Sequence, residues 1–133
     1  MTVRVVCAGT FDHLHPGHIN FLSQAKALGT ELIVIVARDK TVRRIKGITP
    51  DHDEQCRKHN VERAGIADRV VLGNEEGDIF FILHALSPDI VALGYDQRIS
   101  EERLTRTFPA CRVIRLEPFH PDKFKSSLYR SEQ

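Results

Sequence analysis

Residues 31–37 read Glu-Leu-Ile-Val-Ile-Val-Ala, and this run constrains the fold more than any other part of the chain. The run is rich in β-branched residues and apolar at every position after the first, which predicts a strand covered on both faces. Such a strand lies inside a parallel sheet that has helices on either side. The sequence therefore predicts an α/β fold.

Strand and helix patterns alternate along the rest of the chain. Further strands are predicted at residues 3–8, 69–72, 89–93 and 112–116, and helices at 18–28, 51–64, 78–86, from 100 onward and at 122–129. This alternation implies right-handed βαβ crossovers and a Rossmann-like parallel sheet of about five strands with helices on both faces. Asp51 is predicted to cap the helix that ends at residue 64, with Glu54 completing a capping box. The length of 133 residues fits a single domain spanning residues 1–133.

Composition excludes several classes of partner. The net charge is +1, so no global field attracts the chain to nucleic acid or to a membrane surface, and any anion site must be local. The three cysteines are odd in number and widely spaced, which argues against a disulfide framework and suits a reducing compartment. No signal peptide is visible, and the longest apolar run is too short to span a bilayer. A cytoplasmic location is expected.

The loop after the first strand, residues 8–18, combines the features of a phosphate site. Gly9 is expected to let the backbone turn tightly and approach a ligand. Pro16 and Gly17 are expected to form the first turn of a helix, whose N-terminus directs N–H groups toward an anion. His15 and His18 are three residues apart, so both imidazoles can reach the same anion.

Two other interpretations of these histidines stay open at this stage. A histidine at the start of a helix can simply cap that helix. The spacing of His13, His15 and His18, H-x-H-x-x-H, also allows a zinc site, because imidazole clusters bind zinc. His13 is expected to be exposed.

The sequence Gly-Thr-Phe-Asp-His-Leu-His-Pro-Gly-His at residues 9–18 resembles the signature of the cytidylyltransferase-like nucleotidyltransferases. The resemblance implies attack of a phosphorylated acceptor on the α-phosphate of a nucleoside triphosphate. It implies catalytic roles for His15 and His18 and contact of Asp12 with the acceptor. The nucleotide-binding residues that it implies here are Gly9, Thr10, Phe11, His15, Gly17 and His18.

The resemblance also implies functional residues farther along the chain. A lysine in the loop after the second strand neutralises the leaving pyrophosphate, and Lys46 matches it best, with Arg43 and Arg44 as neighbouring alternatives. An arginine at the mouth of the site corresponds to Arg57, for which a surface salt bridge is the alternative. Further nucleotide contacts are expected from Gly94, Asp96, Ser126 and Ser127. The Ser pair matches the second family signature only in part, because Leu128 follows it.

Residues 31–47 and 89–97 look like the archaeal-type FAD synthases, which are FMN adenylyltransferases. This resemblance implies ATP and FMN as substrates, FAD and pyrophosphate as products, and Mg²⁺ as the divalent cation. Aromatic residues near the strand ends could stack on the flavin, namely Tyr95, Phe119 and Phe124. Glycerol-3-phosphate cytidylyltransferase and phosphopantetheine adenylyltransferase share parts of the motif. A nucleotide sensor without catalysis and a homodimer stay open.

Overall fold

The computed structural model describes residues 1–75, 79–95, 97 and 99–118. Within these residues the strands are β1 (Arg4–Gly9), β2 (Glu31–Val36), β3 (Arg69–Leu72), β4 (Ile90–Leu93) and β5 (Arg112–Arg115). The helices are α1 (Pro16–Ala27), α2 (Asp39–Lys46), α3 (Glu54–Ala64), α4 (Ile79–Leu86) and α5 (Glu101–Thr107). All five strands pair in parallel in the order β3-β2-β1-β4-β5, which confirms the predicted sheet.

The sheet is covered on both faces because successive side chains of each strand point to opposite sides. Val5 of β1 packs in one layer of the core with Leu22 of α1 and Val61 of α3. Val6, the next residue of β1, packs in the other layer with Leu83 of α4. The prediction of helices on both faces is thus confirmed.

The strand order reverses direction between β1 and β4, and this is the point where open α/β sheets bind ligands. The chain runs from β1 outward to β3 and then returns to place β4 against the other side of β1. Gln97 bridges the two strand ends: its side-chain amide donates to the Ala8 carbonyl at 2.8 Å and accepts from the Gly94 N–H at 2.7 Å. The loops after β1 and β4 are therefore fastened together at the carboxyl edge.

The start of α3 differs from the sequence prediction. Asp53, and not Asp51, is the N-cap, because its carboxylate accepts the Cys56 N–H at 2.8 Å. Glu54 does not reach back to form a capping box; its carboxylate instead accepts the Asp39 N–H and pairs with Arg38. Contacts between distant segments therefore decide where the helix begins.

Other element ends lie close to their predicted positions. Helix α1 begins two residues earlier than predicted, with Pro16 in its first turn, and Ser100 caps α5. The helical turn predicted at 122–129 lies outside the described residues. In the described ranges no helix has the length and apolar character needed to cross a membrane.

Arg57 of α3 is completely buried and holds four segments together. Its Nε donates to the His52 carbonyl, and its Nη1 donates to the carbonyls of Thr10 and Ala37 at 2.8 Å each. Its Nη2 pairs with the Asp39 carboxylate at 2.6 Å. The prediction that Arg57 lies at the mouth of the site is wrong, because the guanidinium is directed inward and bonded to the protein.

We expect Arg57→Met to lower the free energy of unfolding by about 3–5 kcal/mol, because it leaves the Asp39 carboxylate and three carbonyl groups without their buried donor. Arg63→Met on the exposed surface of the same helix is the matched control and should change stability by less than about 0.5 kcal/mol. Urea unfolding followed by circular dichroism measures both values. Equal stability of the two variants would contradict the role of Arg57.

Candidate active site

The loop after β1 owes its shape to two non-glycine residues in the left-handed region. Phe11 has φ 55° and His13 has φ 51°, conformations that are rare for residues with a side chain. The tight turn thus falls at Phe11 and not at Gly9, where it was expected. Gly9 is needed for packing instead: a Cβ atom there would lie 2.9 Å from two atoms of the Phe11 ring.

The two signature histidines form a capping box at the N-terminus of α1. Nδ1 of His15 accepts the Gly17 N–H at 3.0 Å, and Nδ1 of His18 accepts the His15 N–H at 3.3 Å. The rings stack with their centroids 3.9 Å apart. Since each Nδ1 acts as an acceptor, the proton of each neutral ring resides on Nε2. The pair therefore presents two Nε2–H donors beside the helix N-terminus, and the capping alternative and the phosphate-binding prediction are compatible.

The environment keeps both imidazoles neutral. Burial lowers the pKa of His15. Burial also lowers the pKa of His18 to about 4; the electrostatic effects of the neighbouring His15 and Lys46 lower it further, and Asp12 opposes them. Near neutral pH the pair therefore acts through N–H dipoles without a net charge.

A positively charged side chain, that of Lys46, reaches the site from the end of α2. Nζ of Lys46 donates to Oγ1 of Thr10 at 3.1 Å, which brings the predicted lysine to the predicted loop. Helix α2 ends at Lys46, and Gly47, whose φ of 73° is left-handed, forms its C-cap. Arg43 and Arg44 are exposed on the same helix.

Two of the predicted nucleotide-binding residues, Phe11 and Gly17, pack against the rings of His18 and His15. Phe11 is 3% exposed, lies in the core, and meets the His18 ring edge-on with the centroids 5.5 Å apart. Because its ring is buried, the predicted contact with the nucleotide is left to the backbone of Phe11. At Gly17 a Cβ atom would lie 2.8 Å from the His15 ring, so the glycine leaves room for that ring.

Around β4 the structure describes only part of the predicted contacts. Gly94 follows the strand, its N–H bonds to Gln97 and its carbonyl accepts from Arg115 at 2.7 Å. Tyr95 is exposed beside it. The remaining predicted residues lie outside the described part of the chain: Asp96, Phe119, Phe124, Ser126 and Ser127.

Asp12 is bound to the connection between α2 and α3. Its two carboxylate oxygens accept the backbone N–H groups of Asp51 and His52. Burial raises the pKa of Asp12, but these two bonds, a bond from the His52 ring and the nearby His13 outweigh it, and the net pKa is lowered. The Asp12 carboxylate thus fixes the loop after β1 to the connection between α2 and α3.

His13 points away from the other two histidines of the H-x-H-x-x-H pattern. It is half-buried, not exposed as expected, and its Nε2 lies 2.6 Å from the Asp51 carboxylate. The hydrogen bond with Asp51 raises its pKa despite partial desolvation. In the described residues His13 groups with Asp12 and His52, so the three-histidine zinc site is not formed.

Sequence reasoning missed several residues that shape this site. Gln97 joins the two strand ends, and Asp51 and His52 anchor the loop. Gln97 could have been predicted, because it ends the Leu-Gly-Tyr-Asp-Gln sequence at the end of β4. The roles of Asp51 and His52 have no local signal, since their partner Asp12 is about 40 residues away in the sequence.

Comparison with known proteins identifies the family. The model of the cytidylyltransferase-like family matches residues 6–131. The chain belongs to this family. It is therefore a nucleotidyltransferase by descent, and the Gly9–His18 signature lies at the carboxyl end of β1, the edge at which open α/β sheets bind ligands.

The predicted resemblance to archaeal FAD synthases is also confirmed. The FAD synthase of Archaeoglobus profundus is 53% identical over 130 residues, which are 94% of this chain and 81% of that protein. The FAD synthase of Thermoplasma acidophilum is 38% identical over 98% of this chain and 93% of its own length. A crystal structure of the lipopolysaccharide core biosynthesis protein from Thermoplasma volcanium superposes with a TM-score of 0.85 at 37% identity, covering 90% of this chain and 100% of that one.

We expect Gly17→Ala to lower the turnover of the protein without lowering its stability. Alanine favours the helix by up to about 1 kcal/mol, so the variant should stay folded. Its Cβ forces the His15 ring to move, and a displacement of about 1 Å at a reacting group costs on the order of 10² in turnover. Pyrophosphate release and thermal unfolding are measured for Gly17→Ala and for Ser23→Ala, an exposed alanine control in the same helix. Wild-type turnover in Gly17→Ala would contradict the packing argument.

The depressed pKa of His18 predicts a specific pH dependence of stability. The unfolded chain binds a proton at His18 near pH 6.5 and the folded chain only near pH 4, so stability is lost as the pH falls through this window. His18→Asn keeps an acceptor for the His15 N–H but does not titrate. As the pH falls from 7 to 5, the unfolding free energy of the wild type should therefore decrease relative to that of this variant. His59→Asn, at an exposed position, is the control, and parallel profiles for all three proteins would refute the assignment.

Proposed function

We propose that the chain is an FMN adenylyltransferase that transfers AMP from ATP to the phosphate of FMN, giving FAD and pyrophosphate. An oxygen of the FMN phosphate attacks the α-phosphorus of ATP, a new P–O–P bond forms, and the bond to the β-phosphate oxygen breaks. Pyrophosphate carries away the electron pair. The acceptor phosphate is already a nucleophile at neutral pH, so the protein needs to position the reactants and stabilise developing charge.

The stacked pair of His15 and His18 is the observation that carries this proposal. Two Nε2–H donors beside the N-terminus of α1 suit the non-bridging oxygens of the α- and β-phosphates, where negative charge builds up. The donors are fixed by backbone N–H bonds before the substrate arrives. They therefore require little reorganisation in the transition state.

Lys46 and Thr10 complete the part of the site to which we assign the triphosphate. Lys46 supplies a point charge for the leaving pyrophosphate, and the Lys46–Thr10 hydrogen bond keeps the ammonium over the loop. Mg²⁺ enters as part of the MgATP substrate. We assign the ion to oxygens of the triphosphate and to water, because Mg²⁺ is usually held by few carboxylates together with substrate phosphates.

The acceptor side is assigned to the loop after β4. Tyr95 is 60% exposed beside Gly94, and a flat flavin ring can stack on it. The similarity to FAD synthases over most of their length supports FMN over glycerol 3-phosphate. Asp96, Ser126 and Ser127 keep their predicted nucleotide contacts, and a single domain, a cytoplasmic location, the absence of a nucleic-acid partner and the oligomeric state also stay predictions.

The deciding experiment combines the protein and Mg²⁺ with ATP or CTP and with FMN or glycerol 3-phosphate, and separates the products by chromatography. We expect FAD only from ATP plus FMN. His18→Ala is the control and should lower turnover by about 10²–10³, because one donor to the developing charge is lost.

Two outcomes would overturn the proposal. CDP-glycerol without FAD would identify a glycerol-3-phosphate cytidylyltransferase. Nucleotide binding without pyrophosphate release from any pair of substrates would identify a nucleotide sensor.

A further inference from the structure

Asp12, His13 and His52 form a cluster at the edge of the site, and the proposed transfer reaction gives no role to its two histidines. Two of these residues belong to the loop after β1, and His52 belongs to the connection between α2 and α3. Each residue offers one ligand atom, and these atoms all lie within 4.8 Å of one another. The set of two imidazoles and one carboxylate has the chemistry of a transition-metal site.

The distances in the cluster suit coordination. Nδ1 of His52 lies 3.1 Å from Oδ1 of Asp12. Neighbouring ligands of an ion with bonds of 2.0–2.2 Å lie about 2.8–3.1 Å apart in octahedral geometry and about 3.3–3.6 Å apart in tetrahedral geometry. His52 and Asp12 thus already span one edge of a coordination polyhedron.

Hydrogen bonds from neighbouring groups also fix the orientation of the candidate ligands, as is general for metal ligands. The backbone N–H groups of Asp51 and His52 hold the Asp12 carboxylate at 2.8 and 3.2 Å. The Asp51 carboxylate holds Nε2 of His13 at 2.6 Å, which leaves Nδ1 of that ring as the ligand atom. A carboxylate behind a histidine is the usual second layer of such sites.

We propose that Asp12, His13 and His52 bind one divalent first-row transition-metal ion, such as Zn²⁺, with Asp51 as a positioning residue and water in the open positions. Imidazole nitrogen favours such ions over Mg²⁺, which prefers oxygen. The site is therefore separate from the Mg²⁺ that accompanies ATP, and it does not depend on which acceptor the protein uses.

A bound ion would fasten two segments that carry the reacting groups. The loop after β1 leads into His15 and His18, and the connection after α2 begins next to Lys46. Hydrogen bonds through Asp12 and His13 now join these segments. Because the ion binds the folded arrangement, it stabilises the protein by mass action.

Isothermal titration calorimetry tests the site directly. Tag-free protein carrying Cys56→Ser, which removes the exposed thiol, is titrated with Zn²⁺ in excess Mg²⁺ and without nucleotide. We expect one equivalent to bind and the melting temperature to rise with Zn²⁺ concentration. His13→Ala and His52→Ala should each lower the affinity about 100-fold or more, and Asp51→Asn about 10-fold. His59→Ala, an exposed histidine on α3, should bind as the parent does.

Co²⁺ reports on the ligands independently of affinity. Bound by imidazole and carboxylate, it should give visible d–d bands that disappear in His52→Ala, and no thiolate charge-transfer band. Circular dichroism without metal confirms that each variant is folded. The proposal is overturned if the parent binds no Zn²⁺, if His13→Ala and His52→Ala both bind at the parent affinity, or if the Co²⁺ spectrum shows a thiolate ligand.

Discussion

The buried guanidinium of Arg57 is the interaction on which the arrangement of the site depends. It is a positive charge without solvent contact, and it is tolerated because one carboxylate and three carbonyl groups converge on it. These acceptors come from the loop after β1, the end of β2, the start of α2 and the connection before α3. A single side chain thus fixes the positions of the segments that carry Thr10, Lys46 and His52.

The part of the site that is proposed to bind phosphate is built from local geometry. Left-handed turns at Phe11 and His13 shape the loop, and the two imidazoles that follow replace the hydroxyl and carboxylate of an ordinary capping box. Gly9 and Gly17 each lack a Cβ that would collide with a neighbouring aromatic ring. Position and hydrogen-bonding direction of the histidines are therefore set before any substrate binds.

The sequence was sufficient for the elements whose signals are local. The apolar run at β2, the alternation of strands and helices, and the signature from Gly9 to His18 predicted the sheet, both covered faces and the pairing of Lys46 with the loop. The family resemblance carried the predicted chemistry. What could not be predicted was decided between distant segments.

Asp51 and Asp53 are both suitable caps by residue type, and Asp53 caps the helix because Asp51 is held by His13. Arg57 resembles a surface residue until its four acceptors are known. Phe11 stands within a ligand-binding motif, but its backbone conformation directs the ring into the core. For the helix cap and for Arg57, the deciding contact joins residues that no local pattern relates; for Phe11, the decision lies in a backbone conformation that is rare for a residue with a side chain.

The neutrality of the histidine pair has a consequence for the end of the catalytic cycle. Uncharged N–H groups bind a phosphate oxygen more strongly as it gains charge, yet they exert no long-range attraction on a highly charged anion. In the proposed reaction, the departure of pyrophosphate is thus opposed mainly by the ammonium of Lys46, because the neutral histidines add no charge. A binding site made largely of dipoles combines selectivity for the reacting phosphates with ready departure of the product.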